Sequence, residues 1–204
     1  MRKQSRPNPP LVLEANAAKW NAQWVAKKRA NPAASFDWYQ FEGRSVREYL
    51  VPDLRNMNQG HCSFCDWFPL EVSSNEPIEH FRPKSREEFL EQAFEWRNLY
   101  YCCELCNTSK REQWRDELLA PDSDDYLFDK YFEFDFTTGE IKPNAYANPT
   151  DQIRALATIE LFGLNKNSRP KYRQLALRNW SRTTDPVLDD FPFRDFIDLG
   201  NLTA

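Results

Sequence analysis

The chain has 204 residues, 41% apolar and 15% aromatic with seven Trp, a content that excludes wholesale disorder and suits a folded protein with a real core. Fourteen Pro and a mean hydropathy of -0.78 imply a polar, loop-rich surface. A formal charge of -4 gives no general attraction for a polyanion, since nonspecific nucleic-acid affinity draws on Lys and Arg. No stretch approaches membrane-spanning length. Pro7, Pro9, Pro10 and Glu14 interrupt the apolar run that a signal peptide needs after the basic Met1 to Arg6 segment. A soluble cytoplasmic protein is expected.

Taken in order, Leu13, Ala17, Trp20 and Trp24 recur at helical spacing and predict an amphipathic helix over residues 11 to 29, closed by Lys27, Lys28 and Arg29 in favour of the helix dipole. A loop rich in aromatics follows over 31 to 43. Ser45 and Glu48 form a capping box for a helix with Val46, Leu50, Leu54 and Met57, which Pro52 is expected to kink or divide. Gly60 ends it. Between Asp66 and Phe81, the turn residues Ser73, Ser74 and Asn75 predict a two-stranded ribbon ending at Glu79 and His80. Ser85 with Glu88 suggests a second capping box, for a short helix carrying Phe89, Leu90 and Phe94. Trp96 and Leu99 anchor a return segment, and a helix is expected from Glu104 to Leu119.

Beyond the acidic turn at Asp122, Asp124 and Asp125, a peripheral hairpin is predicted around Thr137, Thr138 and Gly139. Thr150 begins a helix with Ile153, Leu156, Ala157, Leu161 and Leu164 on one face. A last helix over 168 to 182 carries Tyr172, Leu175, Ala176 and Trp180. The tail mixes Asp185, Asp189, Asp190, Asp195 and Asp198 with Phe191, Phe193, Phe196 and Ile197, and reads either as a segment packed on its own domain or as a docking strip. The chain thus divides into an N-terminal helical region (1 to 60), a core (61 to 120) and a C-terminal region (121 to 204), together one unit.

Four of the five Cys form two C-x-x-C pairs, Cys62 with Cys65 and Cys103 with Cys106. That spacing suits four thiolates about 2.3 Å from one tetrahedral Zn²⁺, with every position filled and the metal therefore structural. The alternative is two independent thiol pairs. Cys102 is taken as a packing residue.

Between the pairs lie Glu79 and His80, one of only two His. Glu79 can offer a carboxylate oxygen to Mg²⁺ and Asn107 an amide oxygen, with water and phosphate oxygens completing the octahedron. Neutral His80 can take a proton from water. Neighbours on a strand point to opposite faces, so Glu79 and His80 share a site only where the strand ends or twists. Asn98 can bond backbone groups on both sides of a loop and hold His80 toward the water. Asn107 and Lys110 share a helix face, so Lys110 can contact a phosphate while Asn107 holds metal; the alternatives are a helix cap for Asn107 and plain surface for Lys110. Arg82, Lys84, Arg86, Arg111 and Arg115 add local positive charge.

The order E-H at Glu79, N-L at Asn98 and C-x-x-C-N-x-x-K from Cys103 to Lys110 resembles the HNH endonuclease family, in its Asn-containing variant with a zinc knuckle. The resemblance implies an α+β fold: a ββα-metal core with a structural zinc knuckle, surrounded by mostly helical N- and C-terminal elements. It implies Glu79 and Asn107 as ligands of one catalytic ion, His80 as general base and Asn98 as a structural residue; Glu79 stands where many members carry Asp. The strings E-H-F-R-P-K, W-R-N-L and A-T-I-E-L-F-G-L-N look like the PtuB-type nucleases of Septu and retron-associated antiphage systems, which implies a PtuA-type ATPase partner. The expected activity is hydrolysis of DNA, with RNA or tRNA as the alternative substrate, using Mg²⁺ or Mn²⁺ and with Lys110, Arg82 and Lys84 on the substrate. The competing expectation is a non-catalytic zinc module that binds nucleic acid or a partner.

Overall fold

The structure, a computed structural model, describes residues 1–72 and 77–202 and is an α+β assembly in which helices surround three two-stranded antiparallel ribbons. Helix α1 (Leu11–Ala30) starts after Pro9 and Pro10 and buries Leu13, Trp20 and Trp24 at the expected spacing. Trp20 and Trp24 pack against rings from the following loop, Tyr39 and Phe36. Strands β1 (Gln40–Phe41) and β2 (Arg44–Ser45) form a minimal hairpin leading into α2 (Val46–Asn56). The Ser45–Glu48 capping box is present, and Val46, Leu50 and Leu54 are fully buried. Pro52 lies inside α2 and does not divide it. A single missing N–H is tolerated because the helix is held on its apolar face.

Gly60, at φ +80°, turns the chain into the first Cys pair, and a Cβ there would stand 3.3 Å from the Phe68 ring. The expected turn at Ser73, Ser74 and Asn75 lies outside the described residues. Strand β3 (Ile78–His80) does not pair with residues 66 to 72. Its partner is β4 (Leu99–Tyr101), antiparallel, with Glu79 opposite Tyr100 and His80 opposite Leu99. The ribbon therefore closes across the Pro83 loop and a 3-10 turn at Glu87–Gln92. That turn lacks the expected Ser85–Glu88 box, because the Ser85 hydroxyl bonds Glu112 instead.

Helix α3 (Glu104–Lys110) is shorter than expected: it stops at Arg111, whose φ of +49° breaks the helical path. The apolar residues that suggested a longer helix are satisfied otherwise. Trp114 packs on Phe81 and Phe89, while the Leu119 N–H is taken by the Thr158 hydroxyl. A short helix, α4 (Phe128–Tyr131), precedes the expected hairpin of β5 (Phe132–Asp135) and β6 (Glu140–Pro143).

Helix α5 (Pro149–Leu161) is capped by Asn148, whose side-chain oxygen accepts the Asp151 N–H at 3.0 Å. Its inner face differs from the expected one. Ala157, Leu161 and Leu164 are buried as expected, but Ile153 and Leu156 are 56% and 47% exposed, and Ala155, Thr158 and Ile159 are buried in their place. The end of α5 sets the site, since Phe162 stacks on Phe64 of the first Cys pair and a Cβ on Gly163 would come within 2.8 Å of Ser109 on α3. Helix α6 (Arg169–Trp180) likewise turns Arg169, Arg173 and Ala176 inward rather than Tyr172.

Helix α7 (Arg194–Leu202) packs the tail on its own chain through Phe193, Phe196 and Ile197. Buried Arg194 anchors it with bonds to Asp66 Oδ1 and Asn58 Oδ1, both 2.7 Å. Among the described residues, no helix is long and apolar enough to cross a membrane.

Candidate metal centres and the cleft beside them

Two short turns build the cysteine cluster. After Gly60, the Cys62 N–H bonds Trp67 O and the Asp66 N–H bonds Cys62 O, which curls Cys62 and Cys65 toward one point. Cys103 stands at the start of α3, its N–H donating to Cys62 Sγ at 3.3 Å, and Cys106 follows one turn later. The four sulfurs lie within 4.8 Å of one another, all buried, with Cys65 and Cys103 Sγ at 3.6 Å and no disulfide formed. Four ligands at about 2.3 Å from a tetrahedral zinc place sulfurs about 3.8 Å apart, so the cluster fits that ion. Cys102 is buried beside the cluster but outside it, with its thiol directed at Cys103 O. Burial pushes the Cys106 thiol well up from its ordinary value, and four thiolates gathered in a buried site are stabilised by positive charge close by.

Part of that charge comes from Arg169, which the sequence reading missed. Its guanidinium is buried with Nη2 3.3 Å from Cys106 Sγ and 3.7 Å from Cys103 Sγ, and Nη1 holds the Phe162 and Gly163 carbonyls. It joins the cluster to the end of α5. Replacing Arg169 with Met is expected to weaken zinc binding about 10- to 100-fold, the usual effect of removing a group that supports metal ligands. Competition with a chromophoric chelator measures it; unchanged affinity would make Arg169 a packing residue only.

Beside the cluster is a cleft of about 50 Å³ lined by Glu79, His80, Lys84, Asn107, Arg111 and Glu112, with Ile78 and Pro83. Glu79 and His80, although neighbours on β3, both reach it because the strand ends at His80. His80 is nearly buried and its Nε2 lies 3.0 Å from Ala93 O, so Nε2 carries the proton and donates. Nδ1 bonds no described residue and keeps its lone pair. Trp38 stacks on the imidazole at 5.5 Å and Phe36 meets it edge-on at 5.1 Å. These rings were also missed, the only sequence signal being the aromatic density of the 31 to 43 loop. Burial, and then the charge of Lys84, hold His80 well below the usual imidazole range, which leaves it neutral.

Asn98 clamps the loop that carries Ala93. Its side-chain oxygen accepts the Arg82 N–H at 2.7 Å, and its amide donates to Arg82 O and Gln92 O at 3.0 and 2.9 Å. Asn107 is mid-helix, not a cap, and its side chain bonds no described residue.

Lys110 is elsewhere than a phosphate contact requires. It is fully buried, with Nζ 2.7 Å from Glu79 Oε1 and 3.0 Å from His80 O. Glu79 Oε2 bonds no described residue. Burial pushes the Glu79 carboxyl up to about 7 against the pull of Lys110.

Lys84 lines the cleft, steadied by Trp24 Nε1 on its carbonyl at 2.8 Å and by its ammonium over the Phe36 ring. Arg82 does not line it. Arg82 lies over Trp114 and faces a separate hollow of about 550 Å³ shared with Arg97, Tyr100 and Asp122.

Glu79 Oε2 and the Asn107 side-chain oxygen, which bond no described residue, are donors of the hard type that Mg²⁺ or Mn²⁺ takes. Glu79 and Asn107 are the candidate residues for such a cation, beside the neutral His80 imidazole. No family model matches the chain, and no curated protein matches it.

Proposed function

We propose that the chain is a metal-dependent endonuclease of the HNH type, with DNA as first substrate and RNA, including tRNA, as the alternative. The observation that carries this reading is that Glu79 and His80 from β3 and Asn107 from α3 line one cleft. Two antiparallel strands followed by a helix, with a four-cysteine cluster at the start of that helix that fits a structural zinc, support a ββα-metal reading.

Ala93 O fixes the His80 tautomer, so Nδ1 accepts a proton from a water aligned with the phosphorus. Lys110 holds Glu79 Oε1 and leaves Oε2 without a described partner, so Oε2 and Asn107 would hold a divalent ion. When bound, that ion supplies neutralisation of the scissile phosphate and of the leaving oxygen. As the water oxygen bonds to phosphorus, the P–O3′ bond breaks and the leaving O3′ takes a proton from solvent, giving a 3′ hydroxyl and a 5′ phosphate. In this role the chain is the cytoplasmic effector of an antiphage system, working with a PtuA-type ATPase. Its charge of -4 supports dependence on a partner for substrate capture.

Glu79 sets the expected pH dependence. Its carboxyl, titrating near 7, must lose its proton before it holds a cation. Below saturating Mg²⁺, the apparent affinity is therefore expected to fall about tenfold per unit as pH drops below 7, and added Mg²⁺ to move the activity profile to lower pH. A profile that is flat from pH 8 to 5.5 would remove Glu79 as a ligand.

The Lys110–Glu79 ion pair favours one other reading, because it compensates the Glu79 charge without a second metal. The chain is then a zinc module that binds nucleic acid or a partner. Cleavage of supercoiled plasmid and of total tRNA with Mg²⁺ or Mn²⁺, with and without the ATPase partner, separates the two. Loss of one substrate with wild type but not with His80→Ala supports the nuclease and selects DNA or RNA. No cleavage even with the partner supports the module.

A further inference from the structure

The most strained segment near the cleft follows α3. Residues Lys110 to Gln113 form a turn closed by the Gln113 N–H on Lys110 O at 3.0 Å, and Arg111, its second residue, has φ +49° and ψ -129°. Those angles belong to the first central position of a type II′ turn, where Gly dominates because a Cβ is crowded. A side chain kept in such a position is held at a cost of order 1–3 kcal/mol, and strain of this kind concentrates at functional sites.

The geometry around Arg111 says what the side chain is for. It lines the cleft with Glu79, His80 and Asn107, and it is exposed. Its Nε donates to Thr108 O at 3.0 Å, which fixes the stem, while Nη1 and Nη2 bond no described residue. Glu112, the acid nearest in sequence, is held by the Ser85 hydroxyl. The other cation on this turn, Lys110, is already consumed by Glu79. An open guanidinium fork at the rim of a cleft suits bidentate contact with a phosphate.

We infer that Arg111 is the phosphate-binding residue of this cleft, presented to the nucleic-acid backbone by the strained turn, in the place that sequence spacing assigned to Lys110. The inference rests on the phosphodiester reading above and adds the residue that grips the substrate.

The test uses the full chain as wild type, Arg111→Gly and Arg111→Lys, with melting curves, steady-state cleavage, and anisotropy of labelled DNA and RNA oligonucleotides. Gly relieves the turn, so Arg111→Gly is expected to melt about 3 °C higher. It is also expected to raise KM and the oligonucleotide Kd about tenfold with kcat nearly unchanged, the signature of a contact made equally in ground and transition states. Arg111→Lys keeps the strain and the charge, so it melts like wild type and recovers part of the affinity. Wild-type affinity in Arg111→Gly, or a lower melting temperature for it, overturns the inference. If wild type binds oligonucleotide without cutting it even with the ATPase partner present, the nuclease reading fails and the Kd ratio alone decides Arg111; if it binds neither oligonucleotide even then, both fail.

Discussion

Replacing His80 with alanine is expected to lower phosphodiester cleavage about a thousandfold, within the range a general base contributes. The reason is local. The Ala93 carbonyl accepts the hydrogen bond from Nε2–H, which leaves Nδ1 as the basic nitrogen, and no other imidazole lines the cleft. His61, the only other His, is fully buried, stacked on Phe68 and bonded to backbone carbonyls. Alanine also leaves a void under Trp38 and Phe36, which costs some stability, so melting curves accompany the rates. His80→Gln, which keeps most of the volume, is expected to lose the same activity with a smaller loss of stability. Equal cleavage by wild type and both variants would mean a contaminant or a different base.

The largest effect on stability is expected at the cysteine cluster. Cys106→Ser puts a hydroxyl in a fully buried thiol position beside Arg169, and the three remaining thiols are expected not to retain zinc. Structural zinc in small sites binds with an apparent free energy of about 10–16 kcal/mol. A domain's whole stability is about 5–15 kcal/mol. Loss of the ion is therefore expected to remove the cooperative melting transition, and bound zinc measured by elemental analysis falls from one per chain toward none. Cys102→Ser is the control, since Cys102 lies outside the four and is expected to keep the metal. A folded, metal-free Cys106→Ser would show that the thiols are only packed side chains.

What could be read in the sequence follows the range of the interactions. The C-x-x-C spacing places two thiols in one turn whatever the rest of the chain does, so both pairs were legible. The Ser45–Glu48 box and the Trp20–Trp24 stripe are local in the same sense. Asn98 was legible because an amide can close a loop from either side, and the clamp on Arg82 and Gln92 has that form.

What failed depended on distant partners. Strand β3 pairs with β4 rather than with its own flank, and Ser85 goes to Glu112 rather than to a cap. Arg111 ends α3 early at a conformation that nothing in its residue type announces. Lys110 has the spacing of a surface residue, yet its long stem carries the ammonium inward to Glu79. Arg169 comes to Cys106 from 63 residues away. Trp38 reaches His80 from a loop whose composition announced only aromatics.

The proposed nuclease activity requires a hard cation held by Glu79 and Asn107, next to His80. Titration of Mn²⁺ into the zinc-loaded chain at pH 8, beside Glu79→Gln and Asn107→Ala, tests this most directly. One binding site in wild type, lost in Glu79→Gln and weakened in Asn107→Ala with zinc content and melting temperature retained, is the predicted result. A wild type that binds no Mn²⁺, or variants that bind it as tightly as wild type does, would contradict it.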